Sequence, residues 1–215
     1  MTTGLFITLE GGEGAGKSLQ AAALARRIEE AGRTVSRTRE PGGTPLGERL
    51  RDLLLDLSSS EAEIDPLTEA VLFAAARAQL VTSVVRPALE RGDVVVCDRF
   101  ADSTAAYQGY GRGVDLATIE QLHAIACGGL RPHLTVLLDL PVVEGLGRKR
   151  SSEHADRFAR EDEAFHERVR RGYLALATAE PNRWLVIDAR QAPDAVTEAI
   201  WPRVATLVTR RSLSD

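Results

Sequence analysis

Cysteine is nearly absent. Cys97 and Cys127 are the only two, no Cys-x-x-Cys pair occurs, and the 4 histidines are scattered. This excludes a disulfide framework and a zinc site of the usual spacing, and it predicts reduced thiols and a cytoplasmic chain. There is no basic excess either: 27 Lys and Arg stand against 31 Asp and Glu, for a net charge of -4 and an isoelectric point of about 5.7. Such a surface offers no general attraction to nucleic acid or an anionic membrane, and we expect neither as a partner. No uninterrupted apolar run approaches membrane-spanning length, and the opening MTTGLFITLE lacks a basic leader region. With no internal repeat and no Pro/Ser linker, 215 residues of 44% hydrophobic content predict a single domain, residues 1–215.

Short apolar runs alternate with longer helical patterns. LFITLE (5–10), TVSRTRE (34–40), VVVCD (94–98), LTVLLDL (134–140) and WLVIDA (184–189) are several times β-branched and apolar on both sides. Strands buried on both faces read this way, with helices as crossovers, so the expected class is α/β, a doubly wound five-stranded parallel sheet. Helices are expected over 18–31, ending at Gly32, and over 67–90, ending at Gly92, with Pro87 loosening the second near its end. The polar stretch GRKRSSEHADRFARED, 147–162, reads as a mobile loop.

The segment GGEGAGKS, Gly11 to Ser18, fits the P-loop pattern between a strand and a helix. The pattern alone arises by chance in about one chain in a hundred, and its context makes chance rarer. Gly11, Gly12, Gly14 and Gly16, with Glu13 and Ala15 between them, would let backbone N–H groups face phosphates. Lys17 would neutralise the β- and γ-phosphates, and Ser18 can ligate Mg2+. A carboxylate inside that cradle is the anomaly: Glu13 either points to solvent or serves a second substrate. Asp98 and Arg99 follow the central VVVC strand, where doubly wound sheets bind ligands. Asp98 can contact the metal shell and Arg99 can clamp a phosphate, although a strand-end ion pair would also look like this.

Further charged groups converge on the same end. TREPGGTPLGERL carries Arg39 and Glu40 past another strand into a second ligand-facing loop. Phe73 and Arg77, four apart on one helix face within LFAAARAQLV, either line a planar base or are core and snorkelling residues. Ser103, Thr104, Tyr107, Gln108 and Arg112 come just after Arg99 and suit a nucleotide or an ordinary helix surface. Arg148, Lys149, Arg150 and Arg157 form either a solvated charge run or a lid, about 147–158, closing over a phosphoryl group.

FITLEGGEGAGKS, TREPGGTPLGERLR, LFAAARAQL, VVVCDRFADSTAAYQGYGRG and RPHLTVLLDLP together resemble thymidylate kinase, a P-loop nucleoside-monophosphate kinase family, over nearly the whole chain. The resemblance implies Mg-ATP-dependent phosphorylation of dTMP to dTDP by a homodimer with a short mobile lid. It implies that Arg77 and Phe73 read and stack the thymine, with Thr104 and Gln108 adding polar contacts. Arg99 and Arg39 would hold the dTMP phosphate with Ser103 nearby, Tyr107 would lie against the deoxyribose, and Glu13 would meet its 3′-hydroxyl, directly or through water, or assist the magnesium shell. Because Gly14 stands where some members have an arginine, the lid, through Arg148 or Arg150, would supply the catalytic one. A P-loop switch or ATPase, or a kinase for another nucleoside monophosphate, shares the cradle. Two extra arginine-bearing strand ends fit a second phosphate substrate better.

Overall fold

The first strand, β1 (Leu5–Glu10), is buried at every position. Its odd residues Leu5, Ile7 and Leu9 join one core, while Phe6 joins another. A strand covered on both faces belongs in the middle of a sheet, and there it lies: in this computed structural model, describing residues 4–55, 64–150 and 157–212, the strand order is β2-β3-β1-β4-β5. The other strands are β2 (Val35–Arg39), β3 (Val94–Asp98), β4 (Leu134–Asp139) and β5 (Trp184–Asp188). All pairings are parallel. Leu9 is level with Asp98 on one side and Val136 on the other, and Arg39 is level with Asp98. The chain leaves β1 for the edge strand, returns through β3, then crosses to β4. Doubly wound sheets open a crevice where the direction reverses, here beyond the carboxyl ends of β1 and β3.

One face packs α1 (Lys17–Glu30) and α9 (Pro193–Ser212), through Leu24, Ile28, Ile200 and Val204, onto the sheet. Each such side chain fully buried contributes about 1.5–3 kcal/mol. The other face carries Phe6, Val95 and Cys97 against Leu80, Val81, Val85 and Phe100. The first helix starts and ends one residue earlier than the pattern suggests, with Gly16 as its N-cap and Ala31 as its C-cap.

The helix expected over 67–90 is a continuous run in three parts: α3 (Pro66–Leu80), a π turn (Val81–Val85) and α4 (Arg86–Glu90). Asp65 caps it by accepting from the Leu67 and Thr68 amides. Pro87 gives no amide to the Ser83 carbonyl and crowds it, so the irregularity falls in the turn before the proline rather than at the helix end. By length and hydropathy alone this run could cross a membrane. Buried Glu69 and Arg77, together with its packing onto the sheet, make it a core helix.

Helices extend into both stretches read as loops; the ligand-facing loop after β2 stands, and the loop expected over 147–162 is corrected. The ligand-facing loop after β2 is short, because α2 (Pro45–Leu55) begins within it. Thr44 caps that helix, its hydroxyl accepting from the Gly47 amide at 2.9 Å, and Pro45 is suited to a first helical turn. In the stretch 147–162, residues 147–150 complete α7 (Val142–Arg150) and Arg157–Arg160 form a 3-10 turn. Residues 151–156 lie outside those described. The remaining helices are α5 (Ala101–Thr104), continuing as a π turn (Ala105–Gly111), α6 (Leu116–Cys127) and α8 (Glu163–Ala179).

Candidate active site

The loop after β1 carries its backbone through positive φ at Gly11, Gly14 and Gly16. At Gly14, with φ +66°, a Cβ would lie 2.2 Å from the Gly145 carbonyl oxygen. An arginine therefore has no room at this position, which gives a steric reason for the glycine. Lys17 folds back to donate to the Gly12 carbonyl at 2.7 Å. Burial, and next the Arg99 charge, lower its pKa to about 8. Polyphosphate would restore its charge and move the pKa back toward the ordinary 10.5. Nucleotide binding is thus expected to take up a proton between about pH 8 and 10, to take up almost none at pH 6 through this group, and to weaken as pH rises through that window. Titration calorimetry in buffers of different ionisation enthalpy checks both signs. Ser18 Oγ donates to Asp98 Oδ2 at 2.5 Å, joining the first turn of α1 to the end of β3.

Arg99 is the only described residue other than glycine with positive φ, at 66°. A left-handed arginine costs about 1–3 kcal/mol, and its surroundings hold it there: the Arg99 amide donates to the Leu9 carbonyl at 2.9 Å and the next amide, Phe100, to Glu10 Oε1 at 2.7 Å. Its Nη1 reaches the Gly11 carbonyl, Ser103 Oγ and Tyr173 Oη at 3.1–3.2 Å. Its Nη2 reaches Glu13 Oε1 and Tyr107 Oη, both at 3.0 Å. Tyr107 in turn donates to Glu13 Oε1 at 2.8 Å. Glu13 therefore does not point to solvent; it is the counterion of the strand-end arginine.

The opposite wall is built around Arg77, which is 2% exposed. Rather than snorkelling, Arg77 pairs with buried Glu40 (Nε to Oε2, 2.8 Å) and donates through Nη2 to Thr104 Oγ1 at 2.7 Å. Burial pushes the Glu40 carboxyl up to about 7 against the pull of Arg77, and its Oε1 has no partner. Phe73 tilts against Phe158 at 6.1 Å, and Phe158 meets the edge of Tyr107 at 5.5 Å. Gln108 is buried and donates to Glu69 Oε1 at 2.7 Å. Arg39 stays half exposed, paired with Glu48 at 2.8 Å.

These walls enclose one cleft of about 310 Å³. Lys17, Ser18, Asp98, Glu13, Arg39 and Arg99 line it at the sheet edge; Phe73, Arg77, Ser103, Thr104, Tyr107 and Gln108 line it farther in. Almost every residue singled out from the sequence thus meets in one place. Arg112, Arg148 and Arg157 do not line the cleft, and Arg148 is exposed, its guanidinium donating to the Ala189 carbonyl at 3.2 Å. The side chain of Arg150 lies outside the described residues. Arg157 reaches Glu69 Oε2 at 2.5 Å and the Leu54 carbonyl at 3.1 Å, and Arg112 pairs with Glu161 at 2.6 Å.

The sequence reading missed Glu10, Glu69, Phe158, Tyr173 and Arg51, which also lines the cleft, and it named Glu40 without its pairing to Arg77. A lone acid within an apolar helix was the available signal for Glu69. Glu10 reads as an ordinary strand end, and nothing local marks Tyr173 or Phe158. The donor set fits Mg2+: one hydroxyl and one carboxylate in contact leave most coordination positions for phosphates and water. No cluster of three or more His, Cys, Asp or Glu suited to a metal occurs among the described residues.

A profile described as Thymidylate kinase matches residues 9–200. The chain is 54% identical over 205 residues to a thymidylate kinase of Deinococcus radiodurans, covering 95% of this chain and 98% of that protein. It is 52% identical over 206 residues to one of Thermomicrobium roseum, covering 95% and 96%. A crystal structure of thymidylate kinase from Ehrlichia chaffeensis superimposes with a TM-score of 0.70 at 36% identity, covering 86% of this chain and 92% of that one.

Proposed function

The chain belongs to the thymidylate kinase family and phosphorylates dTMP with ATP, and on that premise we propose how its side chains divide the work. The single cleft carrying a phosphate cradle at one end and a donor-rich, aromatic wall at the other is the observation that supports the assignment. ATP lies along Gly11 to Ser18, with Lys17 on the β- and γ-phosphates. The dTMP phosphate takes Arg99 Nη2 in exchange for Glu13, helped by Arg39, and Ser103 holds Arg99 behind it. Glu13, released from Arg99, accepts from the 3′-hydroxyl, and Tyr107 covers the sugar. Thymine lies on Phe73, with Arg77 donating to O4 and Thr104 and Gln108 completing the wall.

The acceptor phosphate oxygen is already a nucleophile, so the residues position and neutralise rather than form a covalent intermediate. Ser18 and Asp98 would hold Mg2+, which when bound offsets the phosphate charge during transfer. Arg148 and Arg150 are assigned to the lid, where an arginine over the transferring group supplies charge that Gly14 does not. A homodimer is supported by exposed Leu67 and Val71 on α3 and Leu116 and Ile125 on the neighbouring α6. Two free cysteines, both buried, support a reducing, cytoplasmic setting.

Cytosine tests the base assignment, because its exocyclic amine would set donors against the donors of Arg77. In an ADP-release assay, dCMP is expected to show a kcat/KM at least ~10²-fold below that of dTMP, as when a buried polar group is left without its partner. Equal use of dCMP and dTMP would remove Arg77 from base reading.

A further inference from the structure

Arg99 is held by two carboxylates in two ways. Glu13 touches it directly at 3.0 Å. Glu10, fully buried at the end of β1, is joined to the guanidinium through two hydroxyls that stand between them. Ser103 Oγ and Tyr173 Oη accept from Arg99 Nη1 at 3.2 and 3.1 Å, and they donate to Glu10 Oε2 at 2.5 and 3.0 Å. Each hydroxyl has one proton to give. An ionised carboxylate can only accept, so it draws the hydroxyl protons to itself, in competition with the 2.8 Å contact between Ser103 Oγ and Tyr173 Oη, and leaves hydroxyl lone pairs facing the arginine. The other oxygen, Oε1, holds the Phe100 amide next to the left-handed backbone of Arg99. One carboxylate thus orients both the main chain and the side chain of the arginine.

We propose that Glu10, acting through Ser103 and Tyr173, is the positioning residue that presents Arg99 to the acceptor phosphate. This rests on Arg99 holding that phosphate. The direct pair with Glu13 is on the cleft side and is exchanged when substrate arrives. The relay to Glu10 lies behind the guanidinium and persists, so Arg99 is already aimed before dTMP enters.

Glu10→Gln and Tyr173→Phe test this at pH 8, above the Glu10 pKa of about 7. A glutamine amide either sets its NH2 against the Phe100 amide, donor to donor, or turns its NH2 toward the two hydroxyls, where it donates and no longer collects their protons. Tyr173→Phe keeps the ring and deletes one arm. The expected KM for dTMP rises about tenfold in Tyr173→Phe and about thirtyfold in Glu10→Gln, the size of a lost hydrogen bond to a charged group, while the KM for ATP changes less than about twofold. Should Glu10→Gln fail to fold, Tyr173→Phe decides alone. An unchanged dTMP KM, or equal rises for ATP and dTMP, overturns the proposal. If Arg99→Ala still raises the dTMP KM, only the positioning role falls; if it does not, the role of Arg99 falls too.

Discussion

Replacing Lys17 with Ala is expected to lower kcat by about 10²–10³-fold while leaving the protein at least as stable as the parent. The rate loss is the usual cost of removing one preorganised charge from a site where phosphoryl charge is stabilised. The stability expectation comes from the sign of the lysine shift. Burial holds its folded pKa near 8, below the ordinary 10.5, so a protonated Lys17 at pH 7 disfavours the folded state. Its hydrogen bond to the Gly12 carbonyl is a poor return for that burial. Loss of activity without loss of thermal midpoint would therefore separate function from fold. A variant that unfolds would show Lys17 to be structural.

Arg99→Ala is expected to raise the KM for dTMP by about 10²-fold and, unlike the lysine substitution, to cost stability. Truncating one partner of a buried, hydrogen-bonded charge pair costs about 2–5 kcal/mol, much of it because the other charge is left behind. Here Glu13, 9% exposed at its side chain, would lose the cation it faces. Alanine also gains nothing at φ 66°, whereas Arg99→Gly would relieve that backbone and should be the more stable of the two, with the same loss of dTMP affinity. Urea midpoints and steady-state constants for the two variants check both statements.

The architecture was legible because β1, β3 and β4 must be hidden on both faces, which leaves a run of apolar residues that few other elements produce. The cradle was legible because a phosphate loop needs glycine and lysine at fixed spacing. What escaped were groups whose importance depends on what packs against them. Glu40 was read at a strand end beside Arg39, but its pairing with Arg77, brought to it from α3, was not legible. Tyr173 sits 70 residues from Ser103 and 163 from Glu10. No periodicity of α8 distinguishes it from a core aromatic. The π turn before Pro87 was half visible: the proline announced a disturbance, but only the packed helix shows that the widening falls in the preceding turn. For Glu13, sequence alone left solvent and substrate as rivals, and the geometry supplies a third fact, a direct ion pair with Arg99 that a substrate phosphate would displace.

Two anion sites in one cleft, each with its own cation, is the central claim. It is tested most directly by calorimetric titration of an ATP analogue and of dTMP into the parent, Lys17→Ala and Arg99→Ala. Lys17→Ala is predicted to lose affinity for the ATP analogue and keep its affinity for dTMP, and Arg99→Ala to do the reverse. Equal losses of both ligands in both variants would contradict it.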